Sequence, residues 1–139
     1  MCLADYFAPN GNGRRDVVAF QVVTVGDKLL ETSDSMMKEG DYGEGYYLHG
    51  FGVRLAEAGA EYVHRLVRKE LGLPINRGLR YSWGYPACPD HLQHHTLFHL
   101  LPASEKLGMT VTDAGALVPE LSTAALVVHH PEAKYFSTE

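Results

Sequence analysis

Residues 42–71 carry the longest regular pattern in this chain of 139 residues. Tyr47, Phe51, Leu55, Ala58, Tyr62 and Leu66 recur every three or four positions. That spacing predicts one long helix with an apolar stripe, and such a stripe is expected to face a core. Arg54, Glu57, Glu61, Arg65 and Arg68 mark the neighbouring polar face. Glu61 and Arg65 stand four apart in the order that favours an ion pair along a helix. Gly72 and Pro74 supply the stop.

The elements around it follow from local signals. Asp16 to Val25 is β-branched and almost continuously apolar, which predicts a buried central strand. Gly26 ends it, and Asp27 is expected to cap a helix over about residues 28–38. Residues 72–89 hold three glycines and three prolines and read as a loop. Asp90 is expected to cap a short helix through Leu101, and Ser104 to Leu107 to add one turn closed by Gly108. Strands are expected at 109–112, 115–118 and 122–129, with Tyr135-Phe136 closing a hairpin across His130-Pro131-Glu132. This order predicts a single α+β domain with an antiparallel sheet.

Charge and composition narrow the function. The net charge is −5, and no lysine–arginine stripe is present, so nucleic acid is a poor partner. No apolar run reaches the roughly 18 residues that span a bilayer, and the N-terminus does not read as a signal peptide. Two cysteines, Cys2 and Cys88, make no disulfide framework. A cytoplasmic protein is expected.

Arg80-Tyr81-Ser82-Trp83-Gly84-Tyr85-Pro86-Ala87-Cys88-Pro89-Asp90 is the segment with the most chemistry. The prolines fix torsions and remove donors, and Gly84 permits close approach of a ligand. The result is a stiff ledge with flat rings and one guanidinium, suited to a planar ring with a charged tail. The competing reading is a rigid connector between helices.

Other groups are weaker. His91, His94, His95 and His99 would put three imidazoles on one helical face, but no carboxylate or cysteine at ligand spacing accompanies them. No metal site is assigned, and a histidine-rich metal-binding protein is kept as an alternative. Cys88 precedes a helix, yet Asp90 would oppose a thiolate. It reads as a packed thiol. Arg54, Glu57, Glu61 and His64 form a charged face on the long helix, on which Glu57 lies nearest the apolar stripe and could bind a ligand ammonium. No catalytic acid, base or nucleophile stands out.

Several of these segments together resemble one family. Gly84-Tyr85-Pro86-Ala87-Cys88-Pro89, with Arg80 four residues upstream, is similar to the activation domain of cobalamin-dependent methionine synthase. Leu3-Ala4-Asp5-Tyr6, Arg54-Leu55-Ala56-Glu57-Ala58 with Glu61-Tyr62, and His130-Pro131-Glu132-Ala133-Lys134-Tyr135-Phe136 fit too, in family order. The resemblance implies a twisted antiparallel sheet with long helices packed against it. It implies a reactivation module that binds S-adenosylmethionine and supports reductive methylation of cob(II)alamin to methylcobalamin. The cobalamin would be bound mainly by another domain, with a flavodoxin or similar electron donor as a further partner. It assigns Arg80 to the ligand carboxylate, the backbone around Ser82, Gly84 and Tyr85 to the adenine and amino-acid portions, and Tyr135 to the sulfonium end. Phe136 stands beside Tyr135, where the family often has a tyrosine, and Glu57 would balance the ligand's positive groups. The family domain is considerably longer on its N-terminal side, including an Asp that contacts the ligand, so residues 1–139 are expected to be a partial version. The alternative, from another functional class, is a non-catalytic docking module for a cobalamin domain and flavodoxin, with the basic patch Arg65, Arg68 and Lys69 as the flavodoxin contact.

Overall fold

A computed structural model describes residues 2–9, 11, 13 and 15–135. After a single 3-10 turn at Leu3–Tyr6, strand β1 (Ala19–Thr24) leads into helices α1 (Asp27–Lys38) and α2 (Tyr42–Glu70). Then follow β2 (Leu79–Ser82), α3 (Gln93–Leu100), α4 (Ala103–Leu107), β3 (Thr110–Val111), β4 (Leu117–Val118) and β5 (Ser122–Val128). The main sheet is antiparallel in the order β1-β5-β2, and β3 and β4 form a separate pair. Mixed helices and antiparallel strands agree with the expected α+β class.

The central strand is β5, not β1. Both segments are apolar, but Ala124-Ala125-Leu126-Val127-Val128 is sheltered on both faces, whereas Val17 and Val18 before β1 are exposed. The register sorts side chains by face. Phe20 and Val22 of β1 stand opposite Leu126 and Ala124, and these pack with Trp83, Cys88 and Leu97 on the α3 side. Gln21, between them, points the other way, and its Nε2 donates to the Ala60 carbonyl of α2 at 3.0 Å. The sheet is therefore covered by α2 on one face and α3 on the other. The same alternation on β2 sends Arg80 and Ser82 toward α2, and Tyr81 and Trp83 away from it.

Helix α2 runs as predicted but buries the opposite face. Tyr47, Phe51 and Tyr62 are 73%, 59% and 65% exposed, and Leu55 and Leu66 are exposed as well. The buried positions are Gly45, Gly52, Ala56, Ala60 and His64. The reason is separation. A Cβ at Gly45 would stand 2.8 Å from the Ser33 carbonyl oxygen, and one at Gly52 would stand 2.6 Å from Leu29 and Leu121 methyls. Only the smallest side chains fit where α2 crosses α1 and the sheet.

Four local expectations need correction. Gly26, not Asp27, occupies the cap position of α1. α3 begins at Gln93, because Asp90 Oδ1 accepts from Leu92 N–H at 2.9 Å and makes a turn instead of a helix start. The stretch read as a loop over 72–89 contains β2. The turn at His130–Ala133 forms, with Ala133 N–H donating to the His130 carbonyl, but Tyr135 joins no strand. The Lys134 carbonyl instead accepts from the Tyr81 hydroxyl at 2.6 Å, so it is tied to a side chain and not to a ladder. Phe136 lies outside the described residues.

Candidate functional site

The site is assembled by β2 and the turn after it. Gly84 N–H donates to the Cys88 carbonyl, and Cys88 N–H to the Tyr85 carbonyl, each at 2.8 Å. This closes a tight reversal around Pro86-Ala87. Gly84 adopts φ +89°, and a Cβ there would meet the His91 ring at 2.3 Å, so only glycine serves on both counts. Cys88 is buried, and burial raises its thiol pKa, as fits a packed thiol.

Beside this turn opens a cavity of about 370 Å³, bounded by Glu57, Arg80, Tyr81, Ser82, Tyr85, Pro86, Ala87 and Tyr135. That is within the size range of small-molecule pockets. Arg80 Nη2 donates to Glu57 Oε2 at 3.1 Å. Its Nη1 is buried and has no hydrogen-bond partner. An unsatisfied buried donor costs roughly 1–3 kcal/mol, more when charged, and this one belongs to a residue that lines the cavity. Glu57 is half exposed and offers its carboxylate to the same space. The cavity thus presents a cation and an anion side by side, flanked by the exposed rings of Tyr85 and Tyr135.

Tyr135 is held in place by Tyr81. The two ring centroids are 5.6 Å apart, and the Tyr81 hydroxyl grips the carbonyl immediately before Tyr135. Burial pushes the Tyr81 phenol up to about 12, so it stays a neutral donor.

Sequence reasoning named Arg80, Ser82, Tyr85, Tyr135 and Glu57, and the fold brings these five to one cavity. Gly84 does not line it. Tyr81 and the Pro86-Ala87 wall were not assigned. Both lie inside the ledge singled out above, and the alternation of β2 alone would have pointed Tyr81 away from Arg80.

A second cavity of about 360 Å³ shares Glu57, Ser82 and Tyr85 with the first and extends to Trp83, His91, His94 and Glu120. His94 is buried, and desolvation lowers its pKa. Its Nδ1 lies 2.7 Å from the Gly115 carbonyl. A carbonyl only accepts, so the neutral ring carries its proton on Nδ1. The histidines do not form one helical face: His91 precedes α3 and packs on Gly84, and His94 turns inward. Among the described residues no three histidine, cysteine or carboxylate side chains form a group that could hold a metal ion. On the charged face of α2, Glu61 pairs with Arg65 at 3.4 Å. Arg68 turns inward to the Ile75 carbonyl, while Arg65 and Lys69 remain exposed. Among the described residues no helix is long and apolar enough to cross a membrane.

A family model described as "Vitamin B12 dependent methionine synthase, activation domain" matches residues 1–139. The chain is 35% identical over 160 residues to a methionine synthase of Mycobacterium tuberculosis (strain ATCC 25618 / H37Rv), and 34% identical to that of Mycobacterium leprae (strain TN). Each alignment takes in 99% of this chain and 13% of the relative, so the chain spans a small part of those enzymes. A crystal structure of the MetH reactivation domain bound to AdoHcy superposes with a TM-score of 0.90 at 31% identity, over 98% of this chain and 46% of that one. The chain belongs to the activation-domain family of vitamin B12-dependent methionine synthases.

Proposed function

We propose that this chain binds S-adenosylmethionine in the Arg80 cavity and serves the reactivation of a cobalamin-dependent methionine synthase. The observation that carries the reading is the Arg80 guanidinium, whose Nη2 pairs with the Glu57 carboxylate while its Nη1 is buried and unpartnered. An amino acid has a carboxylate and an ammonium one carbon apart, and a guanidinium beside a carboxylate complements that pair. Arg80 would take the ligand carboxylate in a bond strengthened by charge on both partners, and Glu57 would face the ammonium. The rings of Tyr85 and Tyr135 would flank the nucleoside and the sulfonium, a cation attracted to aromatic faces. Ser82 would close the remaining edge. The solved relative, whose ligand is AdoHcy, supports a ligand of this class.

The residues of this chain then bind and align, which lowers a displacement barrier by fixing geometry. The sulfonium is already a good leaving group, so no side-chain acid or base is required. Cobalamin, held mainly by another domain, supplies the reacting metal centre when bound. Residues 1–139 would act as one unit, a portion of the longer reactivation domain, alongside a cobalamin-binding domain and a flavodoxin-type electron donor in the cytoplasm. On this reading the isolated chain makes no methionine.

Calorimetric titration of the chain with S-adenosylmethionine and S-adenosylhomocysteine tests the site. Arg80→Ala should weaken binding by about tenfold or more, since hydrogen bonds to charged groups are worth roughly 1.5–3 kcal/mol. Identical titrations for wild type and variant would remove Arg80 from the site.

A further inference from the structure

The outward stripe of α2 takes no part in the cavity. Tyr47, Phe51, Leu55, Tyr62 and Leu66 are all exposed along it, and contiguous exposed apolar surface marks an interaction site. The spacing of its positions is symmetric. Leu55 and Ala58, Phe51 and Tyr62, Tyr47 and Leu66, and finally Glu44 and Lys69, lie at equal distances on either side of one midpoint, between Ala56 and Glu57. At the helical turn of 3.6 residues all eight fall within one arc of roughly 100°. Glu44 and Lys69 are both exposed and close the two ends of the stripe.

We propose that this face is an isologous interface whose occupant is α2 of a second copy of the chain, lying antiparallel. In a two-fold contact residue i meets j while j meets i. About this midpoint, Phe51 meets Tyr62 twice, Tyr47 meets Leu66 twice, and Leu55 packs over Ala58, whose small side chain lets the helices approach. Each Glu44 carboxylate lies beside the Lys69 ammonium of the other copy. Parallel pairing would instead bring Glu44 to Glu44 and Lys69 to Lys69, so charge selects the antiparallel arrangement. Glu57 lies off the stripe, on the side turned to Arg80, so pairing leaves the cavity open.

Sedimentation equilibrium on the chain, over micromolar to millimolar concentration, reads the association. A dimer that forms with rising concentration is expected. Phe51 is exposed, so Phe51→Asp should keep the circular dichroism of the wild type while raising the dimer dissociation constant by about tenfold or more. Lys69→Glu should weaken the dimer, and Glu44→Lys combined with Lys69→Glu should recover it with the signs exchanged. A monomer at every concentration overturns the proposal. It would give the face to another polypeptide, such as the portion of the longer solved relative that this chain does not match. A dimer indifferent to Phe51→Asp overturns it as well, and a double variant no tighter than Lys69→Glu overturns the antiparallel register.

Discussion

The two faces of α2 invert the usual relation between size and burial. The inward face is made of Gly45, Gly52, Ala56 and Ala60, and the outward face of Tyr47, Phe51, Leu55, Tyr62 and Leu66. Hydrophobicity alone would bury the second set. Space decides otherwise, because α1 and the sheet approach the helix axis too closely for anything larger than a methyl group. Two polar bonds also cross the inward face, from Gln21 Nε2 to the Ala60 carbonyl and between His64 Nε2 and the Gly78 carbonyl at 2.6 Å. The second bond fixes the backbone two residues before Arg80. Close packing on this face thus sets where the guanidinium stands, while the outward face is free to vary without disturbing it.

The sharpest way to break this contrast is to enlarge the inward face. Ala60 is fully buried. Ala60→Leu should cost about 1–3 kcal/mol by overpacking, measured by urea denaturation. At concentrations where the chain is monomeric, Phe51→Ser on the outward face should change stability by no more than about 0.5 kcal/mol. Equal costs at the two positions would refute the assignment of faces.

Much of this was legible in the sequence, and the misses share a cause. The span of α2 followed from local periodicity and from the Gly72–Pro74 stop, and it agrees with Tyr42–Glu70 to within one residue. Which face it buries depends on a neighbour brought close by the fold, and the residues at that contact are small enough to escape a hydrophobic pattern. The same applies to the strands. β1 and β5 are both apolar runs, and only their pairing shows that β5 has neighbours on both sides. β2 is four residues long and set among glycines and prolines, and its partner β5 lies some forty residues away. At the cavity, the ledge guanidinium and Glu57 were marked by their chemistry and position, while the joining of Arg80, Glu57 and Tyr135 into one site came from the family resemblance. Tyr81 escaped notice because its role depends on the carbonyl of Lys134, 53 positions along the chain.

A finer version of the contrast uses glycine on both faces. Gly45→Ala would gain about 1 kcal/mol of helix propensity in open space, but its Cβ would strike the Ser33 carbonyl, a backbone atom that cannot rotate aside. The net effect should be destabilising, by about 1 kcal/mol.

Gly50, five residues on, is exposed, and a Cβ built there meets nothing within 4 Å. It lies in mid-helix, so its cost is the backbone freedom a glycine loses on folding. Gly50→Ala reduces that freedom in the unfolded chain and adds no clash. The variant should therefore be more stable by about 0.5–1 kcal/mol, raising the denaturation midpoint with an unchanged slope against urea. The same chemical change then has opposite signs at two positions of one helix, and distance to the neighbouring backbone is the physical variable that separates them. If both glycines gave the same sign, helix propensity would govern this helix and close packing against α1 would not.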